Sequence, residues 1–178
     1  IKECDWSSDV CSSDLGAARA DDLHDRLAAF ENDLVHNIIL NETNIRRRIA
    51  AAEEIAADAE TAAAVDLHDL VKLHEARSLA LCARLIWLCA LDRTESREQF
   101  YREEYPDTND EEWFCWHGIT RGESGPVLSR IPIPIEKWPV RPPGKRSGLS
   151  PMAALMRGCY DPKAFEAQIR PVDGARAA

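Results

Sequence analysis

From Ala17 to Tyr105 the chain has neither glycine nor proline, the residues that most often punctuate turns, and its apolar positions recur at helical intervals. Leu23, Leu27, Phe30, Leu34, Ile38, Ile45, Ile49, Ala52, Ala56 and Ala59 follow at steps of three, four or their sum, the stripe of an amphipathic helix. A second stripe, Ala64, Leu67, Val71, His74, Ser78, Leu81, Leu85 and Leu88, alternates steps of three and four and resembles the a and d positions of a coiled coil. The two stripes predict an antiparallel helical hairpin. Thr61 and Asp66 compete to cap its second helix, and Asp66 is the better placed, because Asp69 then lies in the first turn at the positive end of the helix dipole. The competing break is Asn41 to Asn44, whose side chains vie with the backbone for hydrogen bonds.

From Leu79 onward the second helix is apolar nearly all round: Leu79, Ile86, Trp87 and Leu91 lie off the seam. Burial on several sides is expected, under the C-terminal half, a missing N-terminal segment or a second subunit. Further on, a short helix is expected around Glu95 to Glu104, ending before Pro106. Another is expected from Asn109 to Gly118, with Asn109 and Glu112 as a capping box and Gly118 at the C′ position. Ser150-Pro151 opens a helix that Gly158 closes, and Asp161-Pro162 opens one that ends before Pro171. Between them the proline-rich stretch from Gly125 to Gly148, with Ile131 to Ile135 alternating Ile and Pro, predicts a polyproline-like strap along the helices, its isoleucines inward, or an exposed docking peptide. The fold class expected is mostly α: a helical hairpin or small bundle with an extended Pro-rich C-terminal segment and short terminal helices.

The segment from Asp5 to Leu15 resembles a sequencing-library adapter translated in one frame. Residues 1–15 are therefore read as a non-native leader and set aside, with Cys4, Trp6 and Cys11; residues 16–118 then form a helical domain and 119–178 a Pro-rich basic tail packed on it. Charge follows the same division. Residues 16–117 carry 22 acidic against 11 basic side chains and residues 118–178 carry 5 against 10, so net charges are 11 − 22 = −11 and 10 − 5 = +5. The simplest consequence is a basic tail folded on acidic helices. The four remaining cysteines, Cys82, Cys89, Cys115 and Cys159, lack the spacing of a disulfide scaffold, and the longest apolar run, Leu79 to Leu91, is too short to cross a bilayer. A cytoplasmic protein that does not enter membranes is expected.

Candidate chemistry is sparse. Asp21, His24 and Asp25 share a helix face, as do Asp66 and Asp69, but no Glu-x-x-His or His-Glu-x-x-His pattern accompanies them; His68 and His74 fall on different faces. His74 reads as a hydrogen-bonded seam residue, and Arg84 is expected opposite Glu42 at the hairpin interface. Cys82, Cys89, Cys115 and His117 lack the close ligand pairs of structural zinc, and no Gly-rich phosphate loop, nucleophile elbow or dinucleotide fingerprint occurs. No metal, cofactor or catalytic residue is expected. The best interaction surface is aromatic and apolar: Trp87, Leu91, Trp113, Phe114, Trp116 and Trp138, although such a cluster also plugs the open end of a helical core. The sequence thus points to a non-enzymatic scaffold or adaptor that binds a protein partner or a second copy of itself. The alternative is a nucleic-acid accessory protein using Arg46, Arg47 and Arg48 with Arg141, Lys145 and Arg146 in the tail.

Overall fold

The computed structural model describes residues 18–33, 37–140, 144–161, 163 and 169–170; the adapter-like leader, Arg141 and most of the expected helix after Asp161 lie outside them. Helices α1 (Ala20–Asn32), α2 (Glu42–Thr61) and α3 (Leu67–Asp92) are followed by shorter ones, α4 (Asp110–Trp113) and α5 (Pro151–Met156). Among the described residues seven strands accompany them: β1 (Ile39–Leu40), β2 (Tyr101–Arg102), β3 (Asp107–Asn109), β4 (Cys115–Gly122), β5 (Gly125–Pro132), β6 (Lys145–Leu149) and β7 (Ile169–Arg170). The mostly α expectation is therefore corrected to a mixed fold of helices and sheet. The chain divides into two compact units, residues 1–32 with 48–84, and residues 33–47 with 85–178.

In the first unit the chain breaks where an acidic side chain can cap the helix that follows. Asp66 accepts the Asp69 N–H at 2.8 Å and starts α3. The core joins Ala20, Leu23 and Leu27 of α1, Ile55 and Ala59 of α2, and Leu73, Ala76 and Ala80 of α3. The expected seam is not what α3 buries. Leu67, Val71 and Leu81 are 81%, 54% and 51% exposed, and His74 and Ser78 face solvent. The alanine stripe wins because side chains of one carbon let backbones approach closely and gain dense contact. Leu79 and Ile86 are exposed too, so the all-round burial expected of this helix does not occur.

Polar links frame that core. Arg77 donates Nε and Nη2 to the Ala59 carbonyl at 3.1 and 2.8 Å, satisfying a C-terminal acceptor of α2. Lys72 pairs with Asp21 and Arg26 with Asp58, each at 2.5 Å. Arg84 pairs with Glu53 at 2.8 Å, not with Glu42, which instead accepts from Arg46 one turn along its own helix.

The second unit is organised around buried charge. Asn41 and Asn44 cap α2 reciprocally, each side-chain oxygen accepting the other's N–H at 2.9 and 3.1 Å. Parallel pairing of β1 with β2 sets Ile39 against Tyr101 and Leu40 against Arg102. This brings Arg102, 1% exposed, under the end of α3. Its Nη1 donates to the carbonyls of Ala90, Leu91 and Arg93 at 2.7, 3.4 and 3.2 Å, groups that a helix end leaves without partners. Nearby, the fully buried Glu95 accepts from Arg93, from Arg97 Nε and Nη2 at 2.9 and 3.0 Å, and from the Asn109 N–H at 2.8 Å. Asp110 accepts from Arg97 at 2.5 Å and from the Arg146 N–H at 2.6 Å.

The segment from Glu95 to Glu104 is accordingly not a helix. It turns at Glu98, whose φ of 49° is left-handed, between Arg97 and Phe100, which exchange both backbone hydrogen bonds at 2.7 and 2.8 Å. The helix expected from Asn109 shrinks to α4, and Gly118 sits inside β4. The supposed strap from Gly125 to Gly148 is not one extended piece: its first part is β5, which pairs antiparallel with β4 in a hairpin from Cys115 opposite Pro132 to Gly122 opposite Gly125, and its end belongs to β6. Its isoleucines do not all point inward, since Ile131 is 46% exposed. Strand β6 pairs with both β3 and β7. Ser150 then caps α5 by accepting the Ala153 N–H at 3.2 Å, with Pro151 at its first position and Gly158 at φ 66° beyond its end.

Three outcomes follow. Replacing Asp66 by Ala removes one cap and lowers stability by about 1 kcal/mol, read by circular dichroism in urea. Arg102→Ala strands buried carbonyls and costs roughly 3 kcal/mol or more, read by tryptophan fluorescence in urea. Burial pushes the Glu104 carboxyl up, but the Glu42 N–H at 2.6 Å and the Arg102 guanidinium outweigh it and hold it below the ordinary range. A depressed carboxyl stabilises the fold above its unfolded pKa of about 4.3, and the contribution is lost as pH falls through the lower folded value. Glu104→Gln therefore flattens the acid limb of stability against pH and leaves the slope above neutrality unchanged.

Candidate functional site

A concavity lies wholly in the second unit, where the end of α3, the turn at Glu98 and the start of the hairpin converge. It measures about 580 Å³ and is lined mainly by Leu40, Trp87, Ala90, Phe100, Trp113 and Phe114, within the size range of small-molecule sites. Trp113, 1% exposed, is the most deeply buried of these. The indole N–H donates to Thr94 Oγ1 at 3.1 Å, and the ring carries Arg130 at 3.7 Å and Arg93 at 5.2 Å from its centroid, a cation–π arrangement.

The rim holds charges that are already matched. Arg93 and Arg97 are committed to Glu95 and Asp110. His117 Nε2 lies 3.2 Å from Asp92 Oδ2, and Arg130 reaches both Asp92 at 3.4 Å and Glu112 at 3.0 Å. Burial pushes the Cys89 thiol up, and Asp92 adds to the effect, so Cys89 stays protonated and poorly nucleophilic. Among the described residues no group of three or more His, Cys, Asp and Glu could hold a metal ion. The arrangement suits the burial of apolar surface rather than proton transfer.

The structure brings together three of the six aromatic and apolar candidates, Trp87, Trp113 and Phe114, which line this pocket; Leu91 is half-buried on the helix that supplies Trp87. Trp116 and Trp138 are 48% and 42% exposed. The described basic candidates have individual surroundings. Arg46 pairs with Glu42, Arg47 is exposed, and Arg48 is buried with its guanidinium 5.8 Å from the Phe30 ring. Lys145 pairs with Glu111 and Arg146 with Glu98. Asp21, His24, Asp66 and Asp69 serve as ion-pair, hydrogen-bond and capping groups. The residues that sequence reasoning missed are Glu95, Arg97, Arg102 and Asp110. Their only signal was an unusual density of alternating charge around Phe100 and Tyr101, which reads as a solvated face.

Residues 37–147 match the family described as the fumarate reductase flavoprotein C-term. An uncharacterised FAD-dependent oxidoreductase of Methanocaldococcus jannaschii is 32% identical over 77 residues, 43% of this chain and 14% of that protein. Adenylylsulfate reductase from the hyperthermophilic Archaeoglobus fulgidus superposes with a TM-score of 0.60 at 22% identity, over 70% of this chain and 21% of that one. The Mycobacterium smegmatis Sdh1 complex in the apo form gives a TM-score of 0.60 at 23% identity, over 92% of this chain and 26% of that one. The chain thus spans about a quarter or less of the length of these relatives, and the two structural likenesses are likenesses of fold.

These matches overturn the scaffold and non-enzyme expectations, since the family is one of redox flavoproteins. They also raise the question of FAD, and the described residues do not fit it. A pyrophosphate is bound by N–H groups at a helix N-terminus beside glycine, whereas the first turns of α1, α2 and α3 carry Asp21 and Asp22, Glu42, and Asp69. The guanidinium groups at the pocket are taken by carboxylates. With 111 of its 178 residues (147 − 37 + 1) covered by that match, the chain belongs to the fumarate reductase flavoprotein C-terminal family.

Proposed function

We propose that this chain is the C-terminal part of the flavoprotein of an FAD-dependent oxidoreductase, a longer polypeptide whose flavin is held by residues other than those described. The observation that carries the reading is the family match over residues 37–147, which spans the end of α3, the buried-charge node, the pocket and the hairpin. The M. jannaschii relative, named as FAD-dependent, supports the same cofactor. The role of the chain is structural: the Glu95 and Arg102 networks fix the pocket and the hairpin, while electrons pass through the flavin elsewhere in the protein. Cys82, Cys89, Cys115 and Cys159 are free thiols, which supports a reducing, cytoplasmic compartment. Among the described residues no helix is long and apolar enough to cross a membrane.

The test is to raise an antibody against residues 18–140 and isolate from the source cells the polypeptide it recognises. The expected product is a longer protein that carries flavin, shown by its visible absorbance, and that reduces an electron acceptor with a dye donor. The 178-residue chain, titrated with FAD, leaves flavin fluorescence unchanged. A flavin-free natural polypeptide overturns the reading.

A further inference from the structure

The two outer edges of the hairpin are chemically unequal. Pro126 and Pro132 in β5 have no N–H and cannot donate within the ladder, so the register fixes its phase. The mutually bonded pairs are Trp116 with Ile131, Gly118 with Ser129, Thr120 with Val127 and Gly122 with Gly125. The backbone groups of Cys115, His117, Ile119 and Arg121 therefore point away from β5, and those of Pro126, Leu128, Arg130 and Pro132 point away from β4. Two prolines among four positions blunt the β5 edge, a common protection of exposed strands. The β4 edge has a donor at every outward position, and among the described residues no third strand pairs with it.

The face that β4 and β5 share through the mutually bonded pairs has no charged side chain: it presents Trp116, Gly118, Thr120, Gly122, Gly125, Val127, Ser129 and Ile131. It is also flat. A Cβ at Gly118 would meet Ile131 Cδ1 at 2.8 Å and Ser129 Oγ at 2.6 Å, and one at Gly122 would meet Val127 Cγ2 at 2.6 Å, so side chains of β5 lie down over the glycines of β4. Trp116, Val127 and Ile131 remain 48%, 52% and 46% exposed.

We propose that the outer edge of β4 pairs antiparallel with the same edge of a second copy of this chain, giving a four-stranded sheet in the order β5, β4, β4, β5. An isologous contact needs a self-complementary edge, and β4 has one about Ile119. Ile119 meets Ile119 of the second copy, Thr120 meets Gly118, and Arg121 stands opposite His117, beside the Asp92 carboxylate that holds that ring at 3.2 Å. The charge thus introduced finds a partner, and the uncharged faces of both hairpins join into one surface.

Light scattering of the full chain over a concentration series, with amide exchange, tests this. The expected result is a concentration-dependent dimer in which the amides of His117, Ile119 and Arg121 become protected, while those of Trp116, Gly118 and Thr120 are protected at every concentration. Ile119→Pro, which removes an outward N–H only, raises the dissociation midpoint at least about tenfold. Leu128→Pro, the equivalent change on the β5 edge, leaves the midpoint unchanged. Retained protection of Gly118 and Thr120 confirms that the hairpin survives in each variant. A monomer at all concentrations, a dimer indifferent to Ile119→Pro, or equal loss in both variants overturns the proposal.

Discussion

A long helix ends in carbonyl groups that must find donors, and in the second unit that requirement is met by one side chain, Arg102. Its guanidinium reaches three carbonyls at the end of α3, and its backbone N–H is bound by Ser96 Oγ at 2.9 Å. Neither contact is possible unless the chain reverses between Asp92 and Arg102, so the tight turn at Glu98 is a consequence. Ser96 in turn donates its hydroxyl to the Tyr105 carbonyl and receives the Thr108 hydroxyl on its own carbonyl. The start of β3 is thereby fixed. A buried guanidinium is tolerated because its Nε meets Glu104 and its Nη1 the helix-end carbonyls; unpaired, it would cost several kcal/mol.

The same segment supplies the carboxylates. Glu95 and Asp110 are buried and share Arg97, and burial alone would disfavour its charge; the two carboxylates hold it protonated. Arg93 links this lattice to Trp113, since it pairs with Glu95 and lies 5.2 Å from the centroid of the indole ring. Trp113 is then covered by Arg130 from the hairpin, which also reaches Asp92 and Glu112. The hairpin is therefore anchored at its Cys115 end through charge and stacking, and the ladder runs on to Gly122 opposite Gly125.

Where local chemistry decides an element, the sequence was informative. Asp66 and Ser150 cap the helices that follow them, and Asn41 with Asn44 interrupts the first helical stripe, because a side-chain oxygen at the right spacing satisfies orphan N–H groups without help from the rest of the chain. Where distant partners decide, it was not. Glu95 to Glu104 is rich in good helix formers, yet Glu95, Arg97 and Arg102 gain more from buried partners up to 14 positions away, Asn109 and Asp110 among them, than from a solvated helix. On α3 the large side chains suggested a seam, but the alanines made the contact. A pattern of size is ambiguous when small residues form the interface.

The candidate site shows the same limit in a sharper form. Three of the aromatic residues singled out by composition do meet in one pocket, since large apolar side chains seek burial whatever the fold. Their polar surroundings could not be read, because Arg93, Arg97 and Arg130 look like surface charge until their carboxylate partners are placed. Those partners decide the chemistry: guanidinium groups already neutralised by Glu95, Asp110, Asp92 and Glu112 have little left to offer a phosphate or a substrate carboxylate. A pocket built this way favours uncharged contact over anion recognition. That agrees with the proposal that a flavin is held by residues other than those described.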